Sequence, residues 1–92
     1  MPEVLLDLHW PDGHRSRLYS PSTVVLQHLP PGSEMSVAEL RTAGLRALAE
    51  ASERVRARYG FACTRTDEEA ARLQELTGRY DPQARVKVAP AR

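Results

Sequence analysis

The sequence predicts a small two-layer α+β domain, β-β-α-α-α-β, with a three-stranded sheet in the order 2-1-3 and its helices packed on one face. Three observations carry this. The chain opens on an alternating apolar–polar run that meets a turn and returns, its middle holds two helices with capping signals, and its last ordered segment alternates again. Ninety-two residues suffice for one domain and not for two. A chain of this size buries only roughly 60–65% of the surface its unfolded form exposes. A roomy enclosed active site would consume much of so small a core, which favours a binding module over a self-sufficient enzyme.

The first run, Val4 to Trp10, places Val4, Leu6, Leu8 and Trp10 on one face of a strand. Pro11-Asp12-Gly13 then makes a turn, with proline presetting φ and glycine supplying the left-handed conformation. His14 to Tyr19 returns antiparallel. Placing Trp10 opposite His14 sets Leu8 against Ser16 and Leu6 against Leu18. On the other face it sets His9 against Arg15, Asp7 against Arg17, and Leu5 against Tyr19. One face is apolar and the other charged, as expected for a sheet covered on one side.

Ser20-Pro21 suits a helix start, whereas the β-branched run Thr23-Val24-Val25 pulls toward strand. A short helix reaching Leu29 is expected, closed by a loop at Pro30-Pro31-Gly32. Ser36 opens the best-signalled element. Ser36 and Glu39 form a capping box, and Met35 and Leu40 occupy the positions of a hydrophobic staple. Val37, Leu40, Gly44, Leu48, Ala51, Val55 and Tyr59 form one inward stripe of a helix spanning about residues 36–59. Glu50 and Arg54 stand four apart on its outer surface, and Gly60 follows as its C-terminal cap, with Phe61 placed to fold back. Thr66 starts the next helix with Glu69 as its capping partner, and Asp67, Glu68 and Glu69 favour its first turn through the helix dipole. Its inner stripe is Ala70, Leu73, Leu76, Thr77 and Tyr80, and Glu68–Arg72 and Glu75–Arg79 are expected pairs. Arg85 to Val88 reads as the last strand, running beside the first and parallel to it at the sheet edge, and residues 89–92 as a frayed tail.

Thirteen Lys and Arg residues, all Arg except Lys87, balance twelve Asp and Glu for a net charge of +1. That balance disfavours a nucleic-acid partner, which would call for a basic surplus. The single cysteine, Cys63, excludes an intrachain disulfide. No leader pattern and no membrane-length apolar stretch is present, which makes the cytoplasm the expected location.

Few residues suggest chemistry. Cys63 could serve as a nucleophile or redox thiol beside Arg65 and a helix start, although a small thiol near Phe61 also fits simple packing. His9, His14 and His28 have no ligand spacing with one another or with Cys63, so neither metal nor cofactor is expected. Arg54, Arg56 and Arg58 spread around a helix, with stems that cover apolar surface. Trp10, at a strand end, is an anchor for the core or for a partner. No phosphate-binding glycine loop or nucleophile elbow occurs. Trp10, Arg54, Arg58 and Cys63 form the candidate functional surface, with no catalytic residue assigned.

Three blocks carry a resemblance: Trp10-Pro11-Asp12-Gly13, Tyr19-Ser20-Pro21-Ser22, and the long block from Ala51-Ser52-Glu53-Arg54-Val55 through Tyr59-Gly60-Phe61-Ala62-Cys63. With the end near Ala84-Arg85-Val86, their spacing resembles a family of short bacterial nitrogen-starvation-response proteins. The likeness covers most of the chain, and Arg58 stands where that family has Lys as readily as Arg. The resemblance implies a place in gene clusters that also encode a nitrilase-like hydrolase, a radical-SAM protein, an acetyltransferase and a flavin-dependent oxidoreductase. It brings no catalytic residues with it. The expectation is a non-catalytic accessory protein that binds a partner from the same cluster, or a peptide or small intermediate. The alternatives are a small enzyme using Cys63 and a DNA-binding regulator. A homodimer through the final strand, at the sheet edge, and through the open face carrying the apolar pair Leu5 and Tyr19 is also expected.

Overall fold

The computed structural model describes residues 3–60 and 64–90. In chain order the elements are β1 (Val4–His9), β2 (Arg15–Ser20), α1 (Val25–His28), β3 (Glu34–Ser36), α2 (Val37–Tyr59), α3 (Thr64–Thr77) and β4 (Arg85–Pro90). They build an α+β domain in which the helices cover one face of an antiparallel sheet.

The hairpin follows the register of its sequence pattern. Leu6 pairs with Leu18, Asp7 with Arg17, and His9 with Arg15. The Trp10 amide closes the ladder on the His14 carbonyl at 2.8 Å. Gly13 takes φ 90° in the turn, a conformation that a side chain would resist.

After β2 the chain departs from expectation. Ser20 belongs to the strand, and a helix does not begin at Pro21. The Ser20 hydroxyl accepts from the Ser22 amide at 3.2 Å and donates to the Ser22 carbonyl at 2.8 Å, and the Ser22 hydroxyl accepts from the Val24 amide at 3.3 Å. These serine contacts hold a non-helical turn, so α1 is a single turn starting at Val25. The loop at residues 30–33 then leads into a strand that the sequence reading omits. The Gly32 amide donates to the Val88 carbonyl at 2.7 Å, the Val88 amide to the Ser33 carbonyl at 2.8 Å, and Glu34–Ser36 pairs with Arg85–Lys87.

That extra strand changes the topology. The sheet has four strands in the order β2-β1-β4-β3, where three were expected in the order 2-1-3. Insertion of β3 also reverses the direction in which the last strand arrives, so β4 lies antiparallel to β1 and not parallel to it. It is an interior strand, with β1 on one side and β3 on the other. Residues 89 and 90 are not a frayed tail: Ala89 pairs with Asp7 and Pro90 with Leu6.

The helices behave largely as their caps dictate. The Ser36 hydroxyl accepts from the Glu39 amide and the Glu39 carboxylate accepts from the Ser36 amide, both at 3.1 Å. Gly60 ends α2 at φ 81°. Leu40, Ala47, Leu48 and Val37 bury against Leu6, Leu8, Val86 and Val88 of the sheet and Leu73 of α3 in one core. Gly44 lets α2 and α3 approach, since a Cβ there would sit 2.5 Å from Leu73 Cδ2. Tyr59, expected on the inward stripe, is 50% exposed because it lies at the end of α2. The predicted contact of Phe61 lies outside the described residues.

Candidate docking surface

Of the four residues nominated from sequence, the three that are described, Trp10, Arg54 and Arg58, lie apart from one another. Trp10 is only 3% exposed. Its ring stacks on Tyr80 with centroids 5.0 Å apart and planes at 12°, and its Nε1 donates to Ser16 Oγ at 2.9 Å. The Tyr80 hydroxyl donates in turn to both Asp12 carboxylate oxygens, at 3.0 and 3.1 Å, and the His14 amide donates to Asp12 at 3.0 Å. Trp10 therefore fastens the hairpin turn to the segment between α3 and β4 and serves the core, leaving no free ring for a partner. The His14 amide, then the Tyr80 hydroxyl, hold the Asp12 carboxyl below its ordinary value, while desolvation and the Asp12 charge push the Tyr80 hydroxyl up.

Arg54 lies on the solvent side of α2, beside a shallow depression of about 550 Å³ that Arg46, Ala49, Glu53 and Ala57 also line. Arg58 stands apart from it, its guanidinium 5.9 Å from the Tyr59 ring centre. The expected Glu50–Arg54 pair is replaced by a contact across elements, with Glu50 3.0 Å from His28 Nε2. Cys63 lies outside the described residues.

The more extensive surface is the sheet face away from the helices. Leu5, Asp7 and His9 of β1 share it with Arg15, Arg17 and Tyr19 of β2, Arg85 and Lys87 of β4, and Glu34 of β3, as the pairing register requires. Asp7 pairs with Arg17 at 3.5 Å and Glu34 with Arg85 at 3.3 Å. Leu5 is 41% exposed among these charges.

One corner of that face is closed in a way the sequence reading misses. Tyr19, expected on the open side beside Leu5, is buried, and the Arg65 guanidinium of α3 lies 3.9 Å from its ring centre. The Tyr19 amide points out from the β2 edge and donates to Glu69 Oε1 at 3.2 Å. Glu69 is thus not the capping partner of Thr66. The helix begins earlier, at Thr64, and Thr66 and Glu69 are both buried within it. Arg72 takes the carboxylate at 3.7 Å in place of the expected Glu68 pairing, and Oε2 has no hydrogen-bond partner. An acidic residue inside a first turn looks the same in sequence whether it caps a helix or covers a strand edge, so only the fold distinguishes the two. The expected Glu75–Arg79 pair is present at 2.6 Å.

Among the described residues no group of three His, Cys, Asp or Glu side chains is placed to hold a metal ion, and no helix is long and apolar enough to cross a membrane. A family model described as nitrogen starvation-induced protein NitG matches residues 5–91. The chain belongs to the NitG family. The NitG match begins within β1 and runs through β4, so it takes in the open sheet face, the Glu69 closure of the β2 edge and the Trp10–Tyr80 stack. Comparison with curated proteins and with solved structures finds no significant match.

Proposed function

We propose that this NitG-family chain is a non-catalytic accessory protein of the bacterial response to nitrogen starvation, acting in the cytoplasm by docking onto a protein encoded with it. Family membership supports the physiological setting. The observation that carries the docking reading is the uncovered sheet face, where Leu5 stands 41% exposed within a surround of charged side chains. An apolar point with a polar rim is the usual anatomy of a protein–protein contact that forms and separates. Of the two grounds for a homodimer, the free edge on the last strand is absent because β4 is interior. On the open face Tyr19 is buried, while Leu5 stays exposed there. The β2 edge is occupied at Tyr19 by Glu69, and β3 has only three residues.

Affinity capture from nitrogen-starved cells tests the proposal. The wild-type chain is expected to bring down one enzyme of its cluster in fixed proportion, and Leu5→Glu to lose it. Recovery of the chain alone, or an unchanged partner with Leu5→Glu, would contradict the reading. Cys63→Ser is expected to leave capture and starvation growth intact. A growth defect with the fold preserved would favour an enzyme built on that thiol.

A further inference from the structure

One line of side chains crosses the open face at right angles to the strands. Arg15 of β2 stands opposite His9 of β1, and His9 opposite Lys87 of β4. Like charges brought close across a sheet are destabilising, so cations gathered on one row call for an acid nearby. Here the acids of the face are engaged elsewhere. Asp7 pairs with Arg17, and Glu34, which faces Lys87 in register, turns its carboxylate to the Arg85 guanidinium at 3.3 Å. Among the described residues neither Arg15 nor Lys87 has an ion pair. Both side chains are exposed, and His9 between them is half-buried.

We propose that the Arg15–His9–Lys87 row is a binding site for an extended acidic segment of a partner protein. The proposal rests on the accessory reading above and supplies the chemistry of the partner. Neighbouring strands lie about 4.8 Å apart, so the backbones carrying Arg15 and Lys87 are separated by about 10 Å. Carboxylates on alternate residues of an extended peptide repeat about every 7 Å, within the reach of the long Arg and Lys side chains. Arg15 offers a two-pronged guanidinium, Lys87 a point charge and His9 a ring N–H between them. Leu5 lies four residues along β1 from His9, about 13 Å away beyond the Asp7–Arg17 pair, so it stands outside the row and is open to a separate part of the partner.

Other polyanions fit less well. A single-stranded nucleic acid needs open aromatic rings on which bases stack. Tyr19, the aromatic residue of this face, is buried beneath Arg65. A membrane surface needs a broad apolar face beneath the cations, and Leu5 alone does not make one.

Fluorescence anisotropy of a labelled peptide alternating Glu and Ser, titrated with the full chain at low salt, tests the site. Saturable one-to-one binding is expected, weakening as salt rises. The double variant Arg15→Glu/Lys87→Glu is expected to weaken it by about tenfold or more, since opposed like charges at an interface are strongly unfavourable. Arg54→Glu on α2 is expected to leave it unchanged. Circular dichroism checks folding, and the milder Arg15→Gln/Lys87→Gln pair reads the same loss should the reversal disturb the sheet. Absence of saturable binding, equal weakening by Arg54→Glu, or tighter binding of an oligo-dT strand of matching length would overturn the site. Capture of the same cellular partner by wild type and by the double variant would overturn the site while leaving the accessory reading standing. Failure to capture any partner from starved cells would instead remove that reading.

Discussion

The two faces of β1 share six residues and little else. On one side Leu6 and Leu8 are each 1% exposed and sit in the core with Leu18, Leu48, Val86 and Val88. On the other, one residue away along the same backbone, Asp7 and His9 take part in charged rows that reach solvent. The inner face is held by burial, which is non-directional and proportional to area. The outer face is held by pairs that water screens, each worth little to folding. The inner face therefore answers for stability, and the outer is free to be composed for recognition. Glu69 and Arg65 are the exceptions, since α3 reaches around the β2 edge and brings part of the outer side under cover.

This contrast can be broken by substitution. The largest effect is expected inside: Leu8→Ala on the sheet, or Leu48→Ala on the facing helix, should cost about 2–5 kcal/mol by urea denaturation. A midpoint unchanged from wild type would mean that the inner face is not the core. Glu69→Ala comes next. It leaves the Tyr19 amide without its acceptor, and the expected cost is about 1–3 kcal/mol. Glu69→Gln keeps an acceptor and relieves the buried charge, so its midpoint should lie much closer to wild type. Hydrogen exchange at the Tyr19 amide should accelerate in the Ala variant alone.

On the outer face the effects shrink. A double-mutant cycle on Asp7 and Arg17 should return a coupling of about 0.2–1 kcal/mol, falling as salt is added. Asp12 supplies a pH-dependent term at the rim. Its carboxyl titrates below its ordinary value of 3.8 through the His14 amide and then the Tyr80 hydroxyl. The stability it contributes is present above that value and is lost as pH falls through the lowered one. Thermal midpoints of wild type and Asp12→Asn should therefore differ at neutral pH and converge in acid. Smallest of all, Arg15→Ala and Lys87→Ala should change stability by no more than about 0.5 kcal/mol, since neither makes an ion pair among the described residues. A larger loss would mean that the row serves the fold.

Legibility followed the range of each interaction. The hairpin register, the Ser36–Glu39 capping box and the Gly60 cap depend on residues close in sequence, and the structure has them all. The Glu75–Arg79 pair is equally local. Glu50 chose His28 over Arg54, because exposed i,i+4 pairs are worth only tenths of a kcal/mol and yield to any nearby competitor. Of the nominated surface residues, Trp10 resolved into a core strut once Tyr80, distant in sequence, was placed against it. The Arg15–His9–Lys87 row was half legible. The hairpin pattern opposed Arg15 to His9, but Lys87 joined them only after β4 took its place.

The sequence by itself determined the α+β class, the hairpin and its two contrasting faces, and the capped helix α2, since periodicity, turn chemistry and capping act over a few residues. The tertiary structure alone decided the fourth strand, the direction and interior place of β4, and the conversion of Glu69 into the cover of a strand edge. A three-residue strand such as Glu34–Ser36 has no periodicity of its own to read. It exists because the β4 backbone offers hydrogen-bond partners, and such partners appear only when the whole chain has folded.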